Sequence, residues 1–364
     1  MTKVKDIIQY LEKIAPFSLQ ESYDNSGLLV GSPSNEVTGA LISLDCTEDV
    51  VQEAIDNNIN TVISHHPIIF SGLKRLTGKT HIERTVIKAI KNDINLIAIH
   101  TNLDHVMHGV NGKIADKLKL KKRKILSPKA NLLKLVTFAP TERSQAILDA
   151  LGKAGAGQIG NYENCSFQSS GIGSFQPNEL ANPSIGKKGS LEKVEEQRLE
   201  VIFPDHLKGN ILNALKNAHP YEEVAYYLHD TLNKNQDVGA GLVGELSEEM
   251  NSLEFLHFLK KEFNLKVIKH TPILKDKIKK IAVCGGSGSF LLSAAKGSNA
   301  DIFITGDFKY HEFFDHENKI TIADIGHYES EVFTKDLLCE ILIEKFTNIA
   351  VVLSKTNTNP ILYL

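Results

Sequence analysis

Apolar residues recur along the first hundred positions in two alternating rhythms. Val4, Ile7, Ile8, Leu11 and Ile14 fall at helical spacing, so 4–15 reads as an amphipathic helix that Pro16 stops. Leu28–Val30, Ala40–Leu44, Asn60–Ser64 and Leu96–Ile99 are short apolar runs that read as strands. Helices are expected between them, from Thr47 to around Asn57 and from around Ile82 to Lys91. Thr47 is placed to cap the first, because its oxygen can accept a free N–H of the opening turn. Strands alternating with helices of this length imply βαβ units and a largely parallel sheet, with ligands beyond the carboxyl ends of the strands.

The rhythm changes near residue 128. Leu132–Phe138 is strand-like, Ser144–Ala154 helical and Asn164–Gln168 strand-like, followed by a Gly, Ser and Pro-rich stretch from Ser169 to Ser190. Leu199–Phe203, Leu207–Asn217 and Val224–Leu228 then repeat strand, helix, strand. This β-α-β-β-α-β order is that of a ferredoxin-like domain. From Ile281 the α/β rhythm resumes, through strands at 281–284, 301–305, 321–324 and 350–353 and a long helix from about Tyr328 to Phe346. The expected fold is therefore α/β, with a discontinuous core of 1–127 and 273–364. An inserted ferredoxin-like α+β domain occupies 128–240, and 241–272 form a return segment. Two domains also suit 364 residues, which exceed the usual limit of one hydrophobic core.

Composition narrows the classes of partner. Charged residues make up 23% and the net charge is −3, which gives no global argument for nucleic acid or membrane. Only Lys119-Leu120-Lys121-Lys122-Arg123-Lys124 is densely basic, and it reads as a solvated linker between domains. No apolar run reaches the roughly 18 residues of a membrane span. No signal-peptide core follows Met1, and the four dispersed cysteines (Cys46, Cys165, Cys284, Cys339) form no CxxC pair. Reduced thiols and a cytoplasmic location are the expectation.

Three fragments carry candidate chemistry. Ser64-His65-His66-Pro67 ends an apolar run, where a strand breaking into a loop lets both imidazoles turn toward one cavity. His100-Thr101-Asn102-Leu103-Asp104 follows the next strand and offers a carboxylate. His327 and Glu331 stand four apart at the start of a helix, on one face. Each alone is also compatible with a structural role. Together they supply imidazole and carboxylate donors suited to zinc, manganese, iron or magnesium rather than to a thiolate site. A carboxylate can bridge two ions about 3.5–4 Å apart and so activate water for hydrolysis. Glu331 is the bridging candidate, with His65 and His66 serving one ion each. The Gly285–Ser289 run lacks the Lys-Ser/Thr ending of a P-loop and reads as a strand-to-helix turn rather than a phosphate cradle.

These motifs, with Thr305-Gly306-Asp307, Tyr310-His311 and Gly326-His327-Tyr328-Glu329-Ser330-Glu331, resemble the signature of the GTP cyclohydrolase 1 type 2 homologues, also called the NIF-three-like family. The resemblance covers the first 127 or so and last 90 or so residues, in family order. It implies an α/β/α sandwich core. It also implies a dinuclear centre on His65, His66, Asp104, His327 and Glu331, with His100 and His311 near the metals. The insertion is similar to the PII and CutA trimeric domains. The family assembles as a hexameric toroid with metal sites facing its cavity. The family name implies attack of water on the imidazole ring of GTP, ring opening and loss of formate.

Two functions from different classes follow. One is a metal-dependent hydrolase of a nucleotide or another heterocycle. The other is a non-catalytic assembly that stores or senses metal, or acts as an interaction scaffold, which the PII-like insertion favours.

Overall fold

The computed structural model describes residues 1–129 and 131–364. By compactness the chain divides into a larger unit, Met1–Pro128 with Gln236–Leu364, and a smaller one, Lys129–Asn235.

In the larger unit the opening helix runs Val4–Ile14 and buries Val4, Ile7 and Leu11, one stripe of the expected amphipathic pattern. Thr47 Oγ1 accepts from Val50 N at 3.3 Å and caps helix Glu48–Asp56. A five-stranded sheet has the order Gly27–Val30, Asn95–Ala98, Thr61–Ser64, Gly39–Ser43, Ala350–Leu353. The last four strands are parallel, and Gly27–Val30 closes one edge antiparallel. Helices Glu48–Asp56 and His81–Lys91 cover one face through Val50, Val51, Ala54 and Ala89.

A second sheet has the order Lys269–His270, Thr321–Asp324, Ile302–Gly306, Lys277–Ser287, Gly239–Asn251, Lys121–Pro128. Its three central βαβ strands, Lys277–Ser287, Ile302–Gly306 and Thr321–Asp324, are parallel. One apolar cluster joins the inner faces of both sheets, through residues such as Ile42, Ile63, Ile281 and Ile304. Helices Val4–Ile14, Val110–Lys117, Ser252–Glu262 and Thr334–Lys345 contribute to the same cluster. The carboxyl ends of parallel strands in both sheets therefore become available to one site.

Two sequence expectations need correction. The basic stretch is not a solvated linker. Lys121–Pro128 is an edge strand paired with Gly239–Asn251, with Ile125 opposite Leu242. Ile125 and Leu126 are buried while Lys121, Lys122 and Lys124 stay exposed, the charged covering expected of a sheet edge. The long C-terminal helix is interrupted, giving His327–Glu331 and then Thr334–Lys345. Residues 241–272 lie in the larger unit as most of strand Gly239–Asn251, helix Ser252–Glu262 and strand Lys269–His270.

The smaller unit has a four-stranded antiparallel sheet in the order Ser166–Phe175, Glu192–Pro204, Asn131–Pro140, Tyr226–Lys234. Leu199, Val201 and Phe203 alternate inward, and with Leu133 and Leu135 they meet Ile147, Leu148, Ile211 and Leu215 of helices Ser144–Lys153 and Lys208–Ala218. The four cysteines are free thiols. Among the described residues no helix is long and apolar enough to cross a membrane.

Candidate metal centre

The site grows out of strand ends. Thr61–Ser64 delivers His65 and His66, Asn95–Ala98 leads to His100, and Thr321–Asp324 leads through Gly326 to helix His327–Glu331. Asp104 ends the short helix Thr101–Asp104. His66, His100, Asp104, His327 and Glu331 line a cavity of about 410 Å³ with Tyr23, Phe70 and Phe290. His65 is fully buried behind it, its ring centroid 4.9 Å from that of His66.

Each histidine is held by its Nδ1. That of His65 donates to Ile99 O at 2.8 Å, and that of His66 to Asp45 Oδ1 at 2.7 Å. Those of His100 and His327 donate to Asp24 Oδ1 at 2.8 Å and Asp307 Oδ2 at 2.7 Å. Carbonyl and carboxylate oxygens only accept, so the proton belongs on Nδ1 and a neutral ring keeps its lone pair on Nε2. This is the arrangement that orients imidazoles toward a metal.

Glu331 sits between two sets of these nitrogens. Its Oε1 lies 3.8 Å from His65 Nε2, which is itself 3.6 Å from Asp104 Oδ1. Its Oε2 lies 3.0 Å from both His66 Nε2 and His327 Nε2. His65 Nε2 and Asp104 Oδ1 are buried and lack any hydrogen-bond partner. Buried polar atoms are rarely left so, and a cation between them would satisfy both. His65, Asp104 and Glu331 form one group able to hold an ion, and His66, His327 and Glu331 another. His65, His66 and His100 are a third combination.

Crowding of like and unlike charges shifts the titrations. Burial opposes charge on His66, but the hydrogen bonds to Asp45 and Glu331 prevail and push it up to about 10. Burial also opposes charge on His327, which Glu331 and Asp307 nevertheless push up to about 9. For Asp104, burial of the carboxyl and then the Glu331 charge act together, and the pKa rises to about 7. Burial works against ionised Glu331, yet His327, His65 and His66 hold its carboxyl well below the usual carboxylate range. The pattern is that of a donor set which has taken up protons where cations would sit.

The match to known proteins spans nearly the whole chain: the model of Duf34/NIF3 (NGG1p interacting factor 3) covers residues 2–360. The chain belongs to the Duf34/NIF3 family. A Halalkalibacterium halodurans protein called GTP cyclohydrolase 1 type 2 homolog is 38% identical, with 98% of each chain covered. A Bacillus subtilis protein of the same name is 36% identical over 99% of this chain and 98% of its own. Among solved structures, a Bacillus cereus protein related to NIF3 superposes with a TM-score of 0.86 at 37% identity, covering 100% of this chain and 99% of that one. HcgD from Methanocaldococcus jannaschii, at 20% identity and a TM-score of 0.59, shares the fold.

In this Duf34/NIF3 chain the structure gathers six of the seven candidate residues read from the sequence. His311 is the exception: it is exposed on the 3-10 helix Tyr310–His316, with its ring against Tyr310 and Phe314. The sequence reading missed Asp24 and Asp45 as the groups that orient His100 and His66. Asp45 had a findable signal. Ser43 and Ser64 pair in parallel register, so residues two beyond each strand end become neighbours. The Gly285–Ser289 run also acquires a role. Gly286 has φ +63° and packs so closely that a Cβ there would lie 2.4 Å from Glu331 Oε1. Its N–H donates to Ser330 Oγ at 2.9 Å, joining the strand to the helix that carries Glu331.

Proposed function

We propose that this chain is a dinuclear metal-dependent hydrolase acting on a nucleotide or related heterocycle, with His65, His66, Asp104, His327 and Glu331 as ligands. The observation that carries this is the placement of Glu331, whose two oxygens address two separate sets of donors. Zinc is the ion we put first, since imidazole and carboxylate donors without a thiolate suit it, with manganese, iron and magnesium as alternatives.

Two divalent ions in such a site supply an activated water and polarise the bond to be cleaved. The chain's own groups do the rest. Asp45, Asp307 and the Ile99 carbonyl fix three imidazoles so that Nε2 faces inward. His100, with Nδ1 fixed by Asp24, presents its other nitrogen on the cavity side and is our candidate for moving a proton. Tyr23, Phe70 and Phe290 give the cavity apolar walls against which a flat heterocycle can lie. GTP is the first substrate to test, on the strength of the relatives' name.

The smaller unit we read as ferredoxin-like and akin to PII and CutA, because its β-α-β-β-α-β order is combined with the sheet order second, third, first, fourth. The family resemblance adds a hexameric toroid, which the native mass in solution would test. An alternative reading as a metal sensor or scaffold draws on the separate cavity of the smaller unit.

The deciding experiment is metal analysis of wild type, His66→Ala and Glu331→Gln beside formate release from GTP. Two ions per chain, lower occupancy in both variants and turnover that falls with it are expected. Two ions without formate remove GTP and direct the search to other heterocycles. Absence of bound metal after reconstitution overturns the reading.

A further inference from the structure

The smaller unit has a cavity of about 660 Å³, and its chemistry differs from that of the metal centre. Alternation along strand Glu192–Pro204 turns Leu199, Val201 and Phe203 to the helices and Glu196 and Arg198 to the other face. The cavity lies on that other face, with the segment 176–185 along one side.

Glu196 is only 9% exposed. Its Oε1 accepts from the Tyr221 hydroxyl at 2.9 Å, and among the described residues no cationic side chain pairs with it. Burial and the Glu196 carboxylate push the Tyr221 hydroxyl up, so it remains a donor. The nearby Arg198 is engaged elsewhere, its Nε donating to Glu200 Oε1 at 2.7 Å. Room for the carboxylate is made by Gly173 on the neighbouring strand, where a Cβ would lie 2.0 Å from Glu196 Oε2. Four rings complete the lining: Phe138 beside Tyr227, with centroids 5.9 Å apart, and Phe175 beside Tyr221, at 6.2 Å.

A buried carboxylate without a cation is costly, and the faces of aromatic rings attract positive charge. Glu222 and Glu223 also line the cavity, so glutamates outnumber its one arginine and a polyanion is disfavoured. We propose that this cavity binds a small organic cation, an ammonium on an aromatic or alkyl body. Its nitrogen donates to Glu196 Oε2 and its apolar part rests among Phe138, Phe175, Tyr221 and Tyr227.

Calorimetric titration of the full-length protein tests this with phenethylammonium, its neutral counterpart phenethyl alcohol, and Nα-acetyl-lysine methylamide as a peptide ammonium. Phenethylammonium should bind at least tenfold more tightly than the alcohol, and Glu196→Gln should remove that preference. Tyr227→Ala, at a ring that is already 56% exposed, should keep the fold by circular dichroism and weaken binding several-fold. Equal binding of amine and alcohol, a preference that survives Glu196→Gln, or no heat from phenethylammonium at millimolar concentration overturns the proposal. Tighter binding of the lysine derivative overturns the assignment to a free small cation.

Discussion

Asp45 holds the ring of His66 from behind, its Oδ1 2.7 Å from Nδ1, and so leaves Nε2 facing Glu331. A carboxylate behind a ligating imidazole fixes its orientation and tautomer, and losing such a partner costs about 10–100-fold in metal affinity. Asp45→Ala should therefore weaken binding by that factor, and Asp45→Asn, whose amide oxygen still accepts from Nδ1, by less. Competition with a fluorescent chelator measures both. Wild-type affinity in Asp45→Ala would show that His66 is oriented by other means.

The metal-free protein should be sensitive to alkali. His66 and His327 have pKa values of about 10 and about 9 against an ordinary 6.5. A group raised on folding contributes stability that is complete below its unfolded value and is lost as pH rises through its folded value. Between pH 7 and 10 the melting temperature of chelator-treated protein should fall. Metal binding needs neutral imidazoles. Adding zinc to metal-free protein at pH 8, where Asp104 at about 7 is mostly ionised, should release protons into an indicator solution. Binding at pH 8 without proton release contradicts this account.

What could be read from the sequence, and what could not, divides on physical grounds. His65, His66, His100 and the His327–Glu331 pair stood out because each follows an apolar strand or shares a helix face, both local patterns. Asp45 did not, since only the parallel register of two strands brings it to His66. The strand Lys121–Pro128 was hidden by its lysines, which face solvent and mask the two buried positions Ile125 and Leu126. Strand Ser166–Phe175 reaches beyond its expected end at Gln168 through Ser169-Ser170-Gly171, residues of low strand propensity held by pairing with Glu192–Pro204.

Gly286→Ala separates a glycine needed for backbone shape from one needed for the site. At φ +63° a non-glycine residue costs about 1–2 kcal/mol. Beyond that, the methyl group must displace Glu331 Oε1, 2.4 Å from the ideal Cβ position. The variant should fold with a modest loss in denaturant midpoint and a disproportionate loss of bound metal. If metal content stays at the wild-type level, the glycine serves the turn alone.

Asp24 offers the sharpest test of how the cavity wall is held. Its side chain is fully enclosed, at 0% exposure, and accepts from His100 Nδ1, from Thr101 N at 3.0 Å and from the Thr101 hydroxyl. Burial disfavours its charge, but the bonds from His100 and Thr101 hold its carboxyl well below the usual range. For a carboxylate depressed on folding, the stabilisation is present above its unfolded pKa of 3.8 and is lost as pH falls through the folded value. Removing one member of a buried charged network costs about 3–5 kcal/mol, so Asp24→Ala should be strongly destabilised at pH 7. Asp24→Asn keeps an acceptor for Thr101 but cannot ionise, so its stability should be less dependent on pH in the acid range than that of wild type. Urea midpoints between pH 3 and 7 give the comparison. Parallel acid limbs for wild type and Asp24→Asn would remove Asp24 as a source of the acid sensitivity and transfer that role to Glu331.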